Sequence, residues 1–304
     1  MTARVDPAGL AGAVRHPSTD RAAWLDLRRS YVGASDVAAL FGLCPHRTRL
    51  DLFLDKREGE VNRDTTEARR GRWLEVAAFA ALADERPDLG ATPSGEIVTA
   101  NGLRMCATPD GFANDGAPVQ VKCPTMATAD EWVNGPPLRY RLQVLAECLV
   151  LDAPHGWLAC FTVDAFGADI AVHRVERHAA AEARIVAGVD AFWRDMEAGI
   201  VPPAEFGRDG AALARLFPDP TGDFLDWTGN NELTSAVVAS HALRAEQSDL
   251  KKRLAALDDE IRAALGDAPG ATLPGFLVEW PVRTRRAFTV SASTTRQLTI
   301  KEAA

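Results

Sequence analysis

The stretch from Met105 to Pro124 sets an aspartate in a Pro109-Asp110-Gly111 turn and a lysine, Lys122, at the end of the next short apolar run. Such a turn exposes a carboxylate at a strand end, where it is a good oxygen ligand for a hard divalent ion. Alternate side chains of a strand share a face, so Lys122 projects beside Gln120. An ammonium there could orient an attacking water or offset charge on a phosphate, which is the chemistry of phosphodiester hydrolysis. The position two before the lysine, where such a site wants a second carboxylate, holds Gln120. Taken alone the pattern is weak, because exposed hairpins bearing an Asp and a Lys are common.

The elements that must position these residues are legible in periodicity and turn residues. The pattern predicts a helix from Thr19 to Leu27 holding Trp24. It then predicts a Gly turn and a Ser/Asp cap opening a new helix after Tyr31. Leu50, Phe53 and Leu54 share one face of a further helix that Gly59 stops, and a strong helix runs from Thr65 to before Pro87. Residues 95–100, 103–111 and 118–124 read as a small antiparallel meander divided by Asn101-Gly102 and Asp115-Gly116 turns. A helix over Arg139–Leu151, strands over 156–163 and 169–177, and a helix over Ala179–Gly199 follow. This order predicts an α/β (α+β) fold with one central mixed sheet flanked by helices. Trp73 is expected to pack its helix on that sheet, and Tyr140 to line the core or rim, or else to stack on a base.

The chain has 304 residues, 47% apolar and 25% charged, an ordinary globular balance. No run of about 18 apolar residues predicts a membrane span, and the first twenty residues do not read as a secretory signal. Cys44, Cys106, Cys123, Cys148 and Cys160 form no Cys-x-x-Cys pair, which argues against zinc knuckles, iron–sulfur clusters or a disulfide framework and fits a reduced cytoplasm. The net charge of −8 opposes nucleic-acid binding, but residues 1–75 carry 13 Lys/Arg against 11 Asp/Glu, leaving room for a local basic face. Six dispersed histidines suggest no metal site.

Several motifs occur together in order. Trp24 and Arg28 precede Gly33-Ala34-Ser35-Asp36; Gly71-Arg72-Trp73-Leu74-Glu75 follows; then come the Asp110–Lys122 stretch with Cys123-Pro124 and the helix bearing Gln143. Together they resemble the lambda-exonuclease and YqaJ-type viral recombinase nucleases of the PD-(D/E)xK superfamily, over roughly Trp24 to Val163. The 296–302 tail is similar to the ending of many phage members. The resemblance implies a restriction-endonuclease-like core, Asp110 and Glu75 at a Mg²⁺ (or Mn²⁺) site, and a backbone ligand from the Val121 carbonyl. It also implies Lys122 as the catalytic lysine, Gln143 facing the site, and Arg28 with Ser35 holding the terminal phosphate of the cut strand. A fork of guanidinium donors and a hydroxyl suit a phosphate. Otherwise Arg28 is a surface ion pair and Ser35 a plain N-cap.

The family pattern has Glu at position 120. Gln keeps one carbonyl oxygen but loses a charge and cannot act as a base. Three consequences stay open: an ion held by Asp110, Glu75, Gln120 and the Val121 carbonyl; a carboxylate supplied by Glu147, which shares a helix face with Gln143; or loss of cleavage with binding retained. In the second case Glu147 reaches inward; otherwise it is a solvated or Arg-paired glutamate. The function implied is a metal-dependent exonuclease acting on double-stranded DNA ends in recombination or repair, with a non-cleaving end-binding protein as the alternative. A ring-shaped homo-oligomer and a single-strand annealing protein are implied partners, and a membrane is not.

Residues 1–205 read as the nuclease core, 206–230 as a Pro/Gly/Asp-rich linker, and 231–304 as a coiled-coil-like helix and hairpin. On the long helix, Leu243, Leu250, Leu254, Leu257 and Ile261 form a seam. The last segment, 275–293, alternates like a hairpin. The tail packs on its own protein or pairs with a second copy; alternatively Arg283, Arg285 and Arg286 touch a phosphate backbone.

Overall fold

Pro109 has no N–H to give a strand ladder, and where it stands one expected strand becomes two that belong to different sheets. The structure is a computed structural model that describes residues 13–17, 21–59, 65–100, 102–125, 127–220, 222, 224–285, 287 and 298–301. It divides into two compact units, Met1–Leu216 and Phe217–Ala304.

The first unit begins with β1 (Val14–Pro17), α1 (Arg21–Arg29), β2 (Val32–Gly33), a 3-10 turn over Ala34–Asp36, α2 (Val37–Leu40), α3 (Arg49–Glu58) and α4 (Thr66–Glu85). The short strands β3 (Thr92–Pro93), β4 (Glu96–Thr99), β5 (Met105–Ala107), β6 (Gly111–Phe112) and β7 (Pro118–Lys122) follow. Then come α5 (Leu138–Leu151), β8 (His155–Val163), β9 (Ala168–Glu176), α6 (Ala179–Glu197) and α7 (Gly210–Leu216). One sheet has the order β1-β4-β5-β2 and the other β3-β6-β7-β8-β9. The second is mixed: β7 and β8 run parallel, and its other neighbours pair antiparallel. The expected α/β class and helix-flanked mixed sheet hold, with two corrections. The single central sheet is two sheets, because the meander breaks at Pro109. The helix after Ser35 is one turn long, ended at Gly42, whose φ of 69° is unstrained only for glycine.

Helix α5 holds the unit together because it is buried on nearly every side. Leu145, Ala146 and Leu149 join the cluster around Val98, Met105 and Phe192, while Val144 and Cys148 pack with Leu158 and Val175 of the mixed sheet. A helix this enclosed has little polar face, and its boundaries come instead from Pro137 ahead of it and Asp152, at φ 50°, behind it. Helix α3 is fixed by a capping box, Thr48 accepting from Asp51 N–H at 3.0 Å while Asp51 accepts from Thr48 N–H at 3.1 Å.

The segment 206–230, read as a linker, is not one throughout. Its first part contributes Asp209, buried and accepting from the Thr48 hydroxyl at 2.6 Å, and Arg215, which pairs with Asp55 at 2.9 Å. The compact unit accordingly extends to Leu216. The second unit contains α8 (Asn231–Leu265) and the antiparallel pair β10 (Gly270–Leu273) and β11 (Phe276–Glu279). This hairpin lies upstream of the expected one. Pro274-Gly275, with Gly275 at φ 82°, makes the turn, and Pro281 follows the end of the second strand. Arg286 and residues 296, 297 and 302 of the tail lie outside the described residues, as do Thr19 and Asp20 at the expected start of the first helix. Among the described residues no helix is long and apolar enough to cross a membrane.

Gly156 sits where α5 meets β8. A Cβ there would lie 2.6 Å from Val144 Cγ1, 2.9 Å from Cys148 Sγ and 3.2 Å from Pro118 Cγ. Gly156→Ala should therefore lower the unfolding free energy by about 1–3 kcal/mol through overpacking, read as a lower urea midpoint; an unchanged midpoint would contradict this close approach.

Candidate active site

Asp110 lies between β5 and β6, and its surroundings explain the glycine after it. A Cβ on Gly111 would strike the Thr92 carbonyl oxygen at 2.4 Å and the Phe79 ring at 2.5 Å, so only glycine lets the turn tuck beneath α4. Pairing of β6 with β7 then brings Asp110 against the next strand. Its Oδ2 accepts the Val121 N–H at 2.8 Å and a second bond from Gln120 Nε2. Burial pushes the Asp110 carboxyl up, opposed by Lys122 and by these two donors. Gln120 is buried, and with its amide N–H committed to Asp110 its Oε1 has no hydrogen-bond partner among the described residues.

Helix α4, capped by Thr65 accepting from Ala68 N–H at 3.1 Å, brings Glu75 to the same region. The Glu75 carboxyl is raised to about 7, first by burial and then by the charge of Asp110, with Lys122 acting the other way. One turn earlier Arg70 donates to the Cys123 and Pro124 carbonyls at 2.9 and 3.4 Å, tying α4 to the chain just past Lys122. Trp73 corrects the sequence expectation. It is 71% exposed and packs on no sheet, because it shares the outer side of α4 with the equally exposed Val76.

Helix α5 adds Gln143 and Glu147. Gln143 Nε2 donates to Glu147 Oε1 at 3.0 Å. Glu147 is neither solvated nor paired with an arginine: it is 0% exposed, and its Oε2 has no hydrogen-bond partner. Burial, then the charge of Asp110, raises its carboxyl to about 8 against the pull of Gln143 and Lys122. The Lys122 ammonium lies 5.3 Å from the Tyr140 ring centre, and Tyr140 stacks on Trp132 at 5.5 Å. Tyr140 is thus half-buried and holds the lysine by its face.

Glu75, Asp110 and Glu147 therefore feel one another or Lys122, although they come from a helix, a turn and a second helix. Among the described residues no three His, Cys, Asp or Glu side chains stand close enough to hold an ion unaided. The donor set nonetheless suits a hard divalent cation. It offers two carboxylates raised by burial, Glu75 further by the charge of Asp110, and a buried amide oxygen, in keeping with Mg²⁺ sites that use one or two carboxylates and neutral oxygens.

A second cluster lies where α1, the 3-10 turn and α3 meet. Arg28 Nη2 is 3.4 Å from Ser35 Oγ and 3.2 Å from both Asp36 carboxylate oxygens. Asp36 also receives Arg47 at 2.6 Å, Lys56 at 3.1 Å and the Gly33 N–H at 3.0 Å. Burial opposes its charge, but Lys56, Arg28, Arg47 and the Gly33 N–H hold its carboxyl well below the usual range. Arg28 is consequently in a largely buried ion pair, not a surface one, and exposed Ser35 sits inside the 3-10 turn and not at its cap. A Cβ on Gly33 would come within 2.8 Å of Arg28 Nη2, so the glycine lets the guanidinium close in. Strand β5 links this cluster to Asp110. Cys106 on it lies within electrostatic reach of Arg28 and Lys56, and Asp110 follows four residues later, roughly 13 Å along an extended chain.

A mixed sheet presenting an acid at a turn and a lysine at the end of the next strand, with helices supplying further acids, is the restriction-endonuclease-like class of fold. Residues 23–153 match the family model described as a YqaJ-like viral recombinase domain. Among solved structures, the fold is similar to an alkaline exonuclease (LHK-Exo) from Laribacter hongkongensis at 24% identity and TM-score 0.50, covering 59% of this chain and 94% of that one. A structure of LHK-Exo in complex with dAMP matches equally, at 24% identity, TM-score 0.50 and the same 59% and 94% coverage. No curated protein matches the chain.

Asp36, Arg47, Lys56 and Arg70 are the site-region residues that sequence reasoning missed. The capping-box threonine beside Arg47 hints that this arginine is fixed, but nothing local reveals its partner.

Glu147 makes stability depend on pH. The folded chain keeps a proton on it up to about 8, whereas an unperturbed glutamate releases it near 4.5. The folded state thus binds more protons in that window, so stability should fall as pH rises through it. In the chelator-treated protein the melting temperature should climb as the buffer is taken from about pH 8 to about pH 5, and Glu147→Gln should flatten that slope. An unaltered slope in the variant would place the dependence elsewhere.

Proposed function

We propose that this chain is a divalent-metal-dependent exonuclease that hydrolyses phosphodiester bonds at the ends of linear double-stranded DNA. The observation that supports it is the convergence of Glu75, Asp110 and Lys122 on one another from three separate elements, beside a buried amide oxygen that lacks a partner. Asp110, Glu75, the Gln120 amide oxygen and the Val121 carbonyl would hold Mg²⁺ or Mn²⁺. Such an ion, when bound, stabilises charge on the phosphate and makes water a better nucleophile.

The chain's own groups do the rest. Lys122, restrained by Tyr140, presents ammonium protons to a phosphate oxygen or to the attacking water. Gln143 donates to Glu147 and so positions that buried carboxyl on α5. Arg28 and the Ser35 hydroxyl bind the terminal phosphate of the strand being cut. Recombination or repair in the cytoplasm, a ring-shaped homo-oligomer and a single-strand annealing partner belong to the same proposal.

A second reading, an end-binding protein that does not cleave, is favoured by one observation. Gln120 donates its amide hydrogen to the oxygen-bearing group an ion would need, where a glutamate would add a negative charge.

Incubation of 5′-phosphorylated linear duplex with Mg²⁺ or Mn²⁺ should release nucleotides, while covalently closed circles stay intact. Lys122→Ala should cut the rate by about 100-fold or more, and Gln120→Glu should raise it or lower the metal concentration required. Equal cleavage by Lys122→Ala would refute the site. Retained DNA binding with no cleavage until Gln120→Glu is introduced would establish the second reading.

A further inference from the structure

Helix α8 is 35 residues long and has no buried residue, an arrangement that isolated helices do not sustain without a packed apolar face. The spacing of its apolar residues defines a heptad in which Leu254 and Ile261 take the first core position and Leu243, Leu250 and Leu257 the fourth. These five side chains are 45–64% exposed. The seam therefore runs for nearly three heptads without being buried by the described residues of its own unit, and the flanking charges indicate what covers it.

We infer that α8 pairs with α8 of a second copy of this chain as a parallel, in-register, two-stranded coiled coil. In that alignment Glu246 faces Lys251 of the partner subunit and Arg253 faces Asp258 of the partner subunit, each contact made twice by symmetry. Gln247 meets Gln247 of the partner subunit at a core position, where two amides can hydrogen-bond to each other and fix the register. Asp258 also stands 3.6 Å from Arg262 on its own helix, an exposed contact that leaves it able to share a second cation. The antiparallel alignment that sets Leu254 against Leu250 of the partner subunit is poor. It opposes Glu246 to Glu260, Arg253 to Arg253 and Lys251 to Lys251 across the two copies, outnumbering the single favourable kind of contact, Arg244 with Asp258, and it sets Gln247 against a leucine. A one-heptad antiparallel shift one way restores opposite charges but leaves Leu243 beyond the partner helix, and the other way sets Lys251 against Arg244 and Gln247 against Leu250. A partner of different sequence would not be matched by a pattern that is complementary to itself. The inference is independent of the nuclease reading, because no residue of the candidate active site takes part.

Light scattering on the full-length protein should give a mass that halves in Leu250→Lys/Leu257→Lys. Glu246→Lys alone should weaken association at least several-fold, and adding Lys251→Glu should restore it, since the pair is then reversed but complementary. Gln247→Cys should form an oxidative cross-link between copies that the parent sequence does not give. An unchanged mass in the leucine variants would overturn the interface. Association without the Gln247→Cys cross-link, or without rescue by the second charge reversal, would overturn the parallel register.

Discussion

Keeping a charged carboxylate in a nearly dry site costs several kcal/mol unless donors and cations replace the lost water, and Asp110 is where this chain meets that cost. The Val121 N–H reaches it only because β6 and β7 pair in one register, and that register exists only because Gly111 lets the turn slide under Phe79. Lys122 is the cation the same strand provides one residue later. Arg70 then holds the chain beyond it, so α4 cannot move away from β7 without breaking bonds to two carbonyls. The placement of Glu75 follows from that tie. Much of the first unit can be understood as scaffolding for one buried carboxyl group.

Gln120 changes the electrostatics of this scaffold in a definite direction. A glutamate there would confront Asp110 at hydrogen-bonding distance, adding a fourth acid to a region where Glu75 and Glu147 are already raised to about 7 and about 8. Without a cation that arrangement would be strongly self-repelling. The amide converts the repulsion into a hydrogen bond and stabilises the ion-free fold, while removing part of the attraction that draws a divalent ion in. The raised Glu147 carboxyl fits the same balance: protonated at neutral pH, it occupies the core as a neutral group.

The residues proposed to carry the chemistry stand out in the sequence because their signals are local. Asp110, Gln120 and Lys122 declare themselves by turn type and by alternation along one strand, and Arg28 and Ser35 by motif order. What the sequence hid is non-local. The strand β1 pairs with β4 some eighty residues away, and β2, β3 and β6 are two residues long, too short to carry a period. Helix α5 is enclosed, so i, i+4 spacing could not tell whether Glu147 faces protein or water. Trp73 misled because a large aromatic beside a site acid looks like packing, whereas helical geometry puts the second residue before Glu75 on nearly the opposite side.

The net charge of −8 is the sharpest apparent objection to the proposed DNA substrate, and screening over distance weakens it. At physiological ionic strength exposed charges are screened beyond about 8 Å, so a phosphate senses the groups it touches and hardly the chain's total. Around Asp36 three cations, Arg28, Arg47 and Lys56, meet a single fully buried carboxylate. Asp36 costs that cluster one positive charge, yet it fixes the guanidinium of Arg28 beside the Ser35 hydroxyl instead of leaving it to swing in solvent. A pre-positioned fork loses less entropy on binding phosphate than a free one. On the proposed reading, the acidic remainder would discourage adhesion elsewhere along a duplex, so that the Arg28 cluster would meet the free phosphate of a strand end.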